Sequence, residues 1–175
     1  MRSPIRPSRD RAAVRLRGYV TALAIAFTVA AGAHADGLPR VDRYDAQRDA
    51  ARDIADAVAA ARGAHRRVLV IVGGDWCKDC RDLDALLDAH PDLALLRDQR
   101  YLPVKVYVGT DNRNDAALAR FPRLQWVPTL FELDVDGNVA RSAPSTQFHD
   151  GGSLSSARIR EFLDAPPASS SARWK

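Results

Sequence analysis

The chain has 175 residues and a formal net charge of +4, long enough for one domain that buries its own core without staples. Six arginines and one aspartate in residues 1–17 hold the positive charge at that end, and the remainder is near −1. With no basic stripe interleaved with aromatics in that remainder, nucleic-acid binding is set aside.

An apolar stretch from about Gly18 to Gly32 follows the basic start and closes on Ala33-His34-Ala35. A basic region, a short apolar run and small residues before a cleavage point describe a secretory signal over residues 1–35. The run is short for a membrane span. No adjacent arginine pair precedes it, which points to the general secretory route. The expectation is release into the periplasm of a Gram-negative bacterium; the alternative is a signal kept as an inner-membrane anchor. Residues 36–41 read as a linker, 42–165 as the folded domain, and the Ser- and Ala-rich 166–175 as a disordered tail.

Within the domain, Asp42 is a candidate N-cap with Asp45 in the first turn, and Gly63 a C-terminal stop. Ala51, Ile54, Val58 and Ala61 fall between them at helical spacing. The unbroken run Val68 to Val72 predicts a central strand covered on both faces. Gly73-Gly74-Asp75-Trp76 then turns into a helix from about Cys77 to Ala89. Leu83, Leu86 and Leu87 form its buried stripe, and Pro91 ends it after His90. Leu93 to Leu96 predict one more helical turn.

Tyr101 to Val108 predicts a second strand, and Asp115 caps a short helix through Arg120. Trp126 to Leu133 reads as a third strand with Pro128 near its start. Asp136-Gly137 is a hairpin signal, and Val139 to Arg141 returns as the fourth strand. Pro144 to Gly152 reads as a loop. Ser153 or Ser155 then caps a last helix with Leu154, Ile159, Phe162 and Leu163 on one side, stopped by Pro166-Pro167. Alternating helices and strands ending in a hairpin predict an α/β fold, a mixed four-stranded central sheet with helices on both faces.

The chain's two cysteines are Cys77 and Cys80, separated by Lys78 and Asp79. A bond between them closes a tiny loop and adds little stability through chain entropy, so the pair is there for chemistry. Placed where a strand hands over to a helix, the Cys77 sulfur faces unpaired N–H groups and the positive end of the helix dipole. Both favour thiolate over thiol. Lys78 favours the thiolate and Asp79 opposes it, which suggests an intermediate or reducing potential; Asp75 is a further candidate for tuning the pKa.

These residues resemble the thioredoxin-fold family over about residues 42–165. The resemblance is carried by Trp76-Cys77-Lys78-Asp79-Cys80 after a strand and Val127-Pro128-Thr129 opening a later one. It implies a thioredoxin-like three-layer sandwich, with Pro128 cis and packed against the cysteines. It further implies Val127 as the backbone position that contacts an incoming peptide; Trp76 is read as either a substrate contact or an aromatic packed beside the pair. Asp75-Trp76-Cys77 also looks like exported thioredoxin-like proteins and the periplasmic reductant modules of bacterial membrane electron carriers. The chain departs from the family at Ile71, where a buried acid often accepts the proton of the second thiol. Either Asp75, a water or the substrate takes that task, or resolution is slower.

The implied activity is thiol–disulfide exchange with cysteines of other exported proteins. Cys77 is the nucleophile and Cys80 the resolving thiol, acting first as a reductant fed by a membrane electron donor. Oxidant and isomerase follow in that order. No cofactor or metal is expected, and the chain is read as a monomer. The rival of a different class is a non-catalytic binding module that docks a partner or holds copper on the thiolate pair.

Other features take plainer readings. A structural disulfide does little here, and a zinc site needs four ligands, whereas His65, His90 and His149 are scattered without ligand spacing. Asp134, Asp136 and Asn138 superficially look like a calcium loop but lack its downstream acid, and are read as a hairpin turn. Trp126 is expected in the core, with a place lining the substrate groove as the alternative.

Overall fold

The computed structural model describes residues 37–166. The expected signal over 1–35 and the tail beyond Pro166 lie outside the described residues. A four-stranded mixed sheet is built from β1 (Arg67–Gly73), β2 (Tyr101–Tyr107), β3 (Thr129–Leu133) and β4 (Val139–Pro144) in the order β2-β1-β3-β4. β1 runs parallel to β2 and antiparallel to β3, and β3 pairs antiparallel with β4.

Every β1 residue from Val68 to Gly73 is buried, as the unbroken apolar run predicts for a strand sandwiched between layers. Strand alternation sends Val68, Val70 and Val72 to one side, where α1 (Ala50–Ala64) packs with Ile54, Ala57, Val58 and Ala61. Leu69 and Ile71 face the other side, against Leu83 and Leu87 of α2 (Lys78–Ala89), Leu93 of α3 (Pro91–Arg100), and Ile159 and Leu163 of α5 (Ser156–Asp164). The short α4 (Asp115–Leu118) adds Ala117 and Leu118 to the α1 layer. The α/β three-layer sandwich is therefore as expected.

Several boundaries differ from expectation. The first helix starts at Ala50, not after Asp42, and Ala51 is exposed. The Asp45 carboxylate accepts from Gln47 N–H at 2.8 Å, a local turn that competes with helix. Asp49 takes the cap instead, accepting from Arg52 N–H at 3.1 Å. Upstream, Val41 is held extended against the outer edge of β2 by Val41 N–H to Pro103 O at 3.0 Å and Lys105 N–H to Val41 O at 2.9 Å.

The turn expected at Leu93 to Leu96 is the whole of α3, for which Pro91 at the first position is well suited. Asn114, not Asp115, occupies the cap position of α4. β3 begins at Thr129 rather than Trp126, because the Thr129 hydroxyl donates to Trp126 O at 2.6 Å and closes a turn before the strand.

Between β3 and β4, the Asp134 carboxylate accepts from the N–H groups of Asp136 and Asn138, both at 2.9 Å. That carboxylate is occupied by a turn, in keeping with the hairpin reading. The segment expected as a loop after Pro144 holds a 3-10 helix (Ser145–Phe148) and a small hairpin of β5 (His149–Asp150) and β6 (Ser153–Leu154). Gly151 and Gly152 form its two-residue turn with φ of 60° and 90°, the conformation such tight hairpins demand and glycine supplies. Leu154 thus belongs to β6 rather than α5, and Ser155 stands at the α5 cap.

One buried polar cluster ties the far end of the sheet together. Glu132 on β3 is only 1% exposed; it receives Arg67 from β1 at 2.5 Å and Arg141 from β4 at 2.6 Å. The Tyr101 hydroxyl donates to it at 3.2 Å. Burial, then the Glu132 charge, pushes the Tyr101 phenol up to about 12. Removing the carboxylate leaves two guanidiniums with no counter-charge between them. Glu132→Ala should therefore lose about 3 kcal/mol of stability in urea denaturation; a midpoint equal to that of the unaltered protein would show the cluster to be dispensable.

Candidate active site

β1 ends at Gly73, and the chain reverses through Gly74, Asp75 and Trp76, with Cys77 N–H bonded to Gly74 O at 3.0 Å. That reversal sets Cys77 at the N-cap of α2 in extended conformation, φ −82° and ψ 126°. Its sulfur accepts from Cys80 N–H at 3.2 Å, in the place where a serine or aspartate oxygen commonly caps a helix. Cys77 and Cys80 are joined as a disulfide with their Cα atoms 5.2 Å apart. Cys77 is 6% exposed and Cys80 1%, so the first sulfur is the one nearer solvent.

The segment before β3 closes over this pair. The Val127–Pro128 peptide is cis, and the Cys77 sulfur lies 3.4 Å from Val127 O, a distance at which a reduced thiol donates to it. Ser145 on the 3-10 helix braces the same segment, with its N–H bonded to Pro128 O at 2.8 Å and its hydroxyl 3.5 Å from Val127 O. Ser145 was not singled out from the sequence, which has no local signal that β4 returns it to this spot.

Two tryptophans line the cleft next to this segment. Trp76 is 57% exposed, with its indole N–H fixed to Val108 O at 2.8 Å. Trp126, expected in the core, is instead 60% exposed. Its apolar neighbours in sequence belong to the turn before β3 and not to the strand. A cleft of about 950 Å³ runs from Trp76 past Tyr107 and Leu118 to Trp126 and Val127.

The charged residues around the sulfurs have partners of their own. Lys78 pairs with Asp82 one turn along α2. Asp79 lies 3.0 Å from His149 Nε2, which sets His149 beside the cysteine pair, a place the sequence reading did not assign it. Asp150-Gly151-Gly152 is a tight-hairpin sequence that was legible locally, but no local signal sets that hairpin against α2. Asp75 is exposed, and its carbonyl accepts from Arg81 at 2.5 Å.

Residues 49–134 match the family model described as thioredoxin-like. The chain carries a thioredoxin-like domain. Among solved structures it is similar to a disulphide isomerase from Xylella fastidiosa Temecula1, at 28% identity and a TM-score of 0.59 over 69% of this chain and 92% of that one. It shares the fold of the oxidised C-terminal domain of DsbD from Neisseria meningitidis, at 20% identity and a TM-score of 0.50 over 65% and 92% of the two chains. No curated protein matches the sequence significantly.

The thioredoxin-like frame explains why Gly73 precedes the motif. A Cβ there would stand 2.5 Å from the Cys80 sulfur and 3.0 Å from the Tyr44 hydroxyl, closer than packed atoms approach. Gly73→Ala should destabilise the oxidised domain by about 1–3 kcal/mol and slow closure of the Cys77–Cys80 bond. Thermal melting and the rate of disulfide formation check this, and unaltered values in both would remove Gly73 from the site.

Proposed function

We propose that the protein is an exported thiol–disulfide oxidoreductase that reduces disulfides in other exported proteins. The observation that carries this reading is the capping geometry of Cys77. Its sulfur receives the Cys80 N–H and stands at the positive end of a twelve-residue helix. Once reduced, a sulfur so placed is favoured as thiolate, the form that attacks disulfides.

In the proposed cycle the Cys77 thiolate attacks a substrate disulfide, forming a mixed disulfide and releasing one substrate thiolate. Cys80 then attacks the Cys77 sulfur. The Cys77–Cys80 bond forms, the bond to substrate breaks, and the electron pair leaves on the substrate sulfur. Two electrons pass from the cysteine pair to the substrate. Val127 and Pro128 present the backbone edge along which an extended peptide lies, and Trp76 packs beside its cysteine. Among the described residues no helix is long and apolar enough to cross a membrane; export rests on the N-terminal sequence pattern.

The reductant direction is supported by the neighbours of the pair. Lys78 is drawn toward Asp82, and Asp79 toward His149, which leaves no unopposed cation between the sulfurs to stabilise the reduced form to the degree a strong oxidant needs. An oxidising compartment then requires electrons from a partner, for which a membrane carrier is the fitting class. Isomerisation, the activity named for the Xylella protein, uses the same two sulfurs and is the second reading.

The reduction potential separates these outcomes. The proposal expects a value near that of thioredoxin, about −270 mV, with catalysed reduction of insulin; a value near −120 mV would reverse the direction. Cys80→Ser should trap a mixed disulfide with substrate, whereas Cys77→Ser should abolish exchange. Equal residual activity in the two variants would contradict the assigned roles.

A further inference from the structure

Cys80 needs to lose a proton before it can resolve a mixed disulfide, and β1 offers it no base. The β1 residue Ile71 is apolar, buried and in register between Lys105 of β2 and Leu130 of β3. Behind the second sulfur the structure places a different group. Tyr44, from the segment before α1, is 7% exposed. Its hydroxyl is fully buried with no hydrogen-bond partner among the described residues, a rare condition for a buried hydroxyl. It faces the Cys80 sulfur across the space that the missing Gly73 side chain leaves open.

Two charged groups complete the arrangement. Lys105 is largely buried with its ammonium 4.9 Å from the centre of the Tyr44 ring. It bonds both oxygens of Asp84 at 2.7 and 2.6 Å. Asp84 is one helical turn beyond Cys80 on α2 and is partly exposed. A cleft of about 580 Å³ is lined by Tyr44, Ile71, Asp84 and Lys105 together.

We infer that Tyr44 is the hydrogen-bond donor to the Cys80 thiolate and that Asp84, paired with Lys105 beside that ring and one helical turn from Cys80, receives the Cys80 proton, since β1 supplies no acid at Ile71. This rests on the thiol–disulfide reading above and names the groups that serve its second step. The orphan hydroxyl then has a physical reason. In the disulfide, Cys80 is a poor acceptor, and reduction turns it into a strong one. Burial, then the charges of Asp84 and Asp75, raises the Tyr44 phenol above its ordinary range, so it stays protonated and donates rather than acting as a base. In the step itself Cys80–SH gives its proton to Asp84 and its sulfur bonds to Cys77. The Cys77–substrate bond breaks, and the departing substrate thiolate takes a proton from solvent.

Tyr44→Phe keeps the ring and removes only the donor. In a Cys77→Ser background, the Cys80 thiolate can be titrated by its ultraviolet absorbance. The charged groups facing the cleft from the surrounding elements, Arg40, Asp42, Arg43, Asp75, Asp88 and Arg97, are left unchanged. The expected result is a Cys80 midpoint about one unit higher. With Cys77 intact, mixed-disulfide resolution should slow roughly tenfold, the size of one hydrogen bond to a charged group, and the initial attack by Cys77 should be unaffected. A midpoint and a resolution rate both within about twofold of the parent's, a bound far below the expected tenfold, would overturn the inference. Should Tyr44→Phe fail to fold, Asp84→Asn carries the same expectation for the resolution step. A wild-type protein that left insulin intact would overturn the reductase reading alone, since the Cys80 titration decides this inference either way.

Discussion

The 3.2 Å contact from the Cys80 N–H to the Cys77 sulfur is the interaction on which the rest depends. A helix leaves its first N–H groups unpaired, and something has to accept from them. Here the acceptor is a sulfur, so the need of the helix and the need of the chemistry are met by one atom. The contact makes the polarity of α2 part of the reactive group. It also fixes which cysteine leads, since Cys80 lies inside the first turn and is the more deeply buried.

The fold serves that contact from both directions. β1 is held on two edges and two faces, so Gly73 delivers the chain to one place at the top of the sheet. The antiparallel β3 starts at that same end. It sets Val127 and Pro128 over the sulfurs, and Ser145, at the start of the 3-10 helix that follows β4, pins them there. The Glu132 cluster lies at the opposite end, near the start of β1. The sheet thus separates a rigid, charge-paired base from an open rim where Trp76 and Trp126 flank a cleft.

Much of this was legible in the sequence, and what was not has definite causes. The unbroken Val68 to Val72 run, the spacing of Cys77 and Cys80, and Asp136-Gly137 are strong local signals, and each led to the right element. Asp42 and Asp49 are chemically equivalent caps, and only the pairing of Val41 with β2 and the turn at Asp45 exclude the earlier one. Trp126 was expected inside because aromatic residues in apolar runs usually are; the Thr129 bond that ends the strand early is not a pattern of residue types. The reach of His149 to Asp79 and of Tyr44 to the rear of Cys80 depends on tertiary closure over 70 and 36 positions of chain. Ile71 marked a missing acid, yet what took its place became visible only when the loop before α1 was seen to fold under the motif.

The pH dependence of Cys77 alkylation in the reduced protein is the most direct measure of whether the helix cap holds this sulfur ionised. The account predicts a midpoint at least about one unit below the 8.5 or so of free cysteine, with Cys77 modified well before Cys80. A midpoint at the free-cysteine value, with both thiols modified alike, would contradict it.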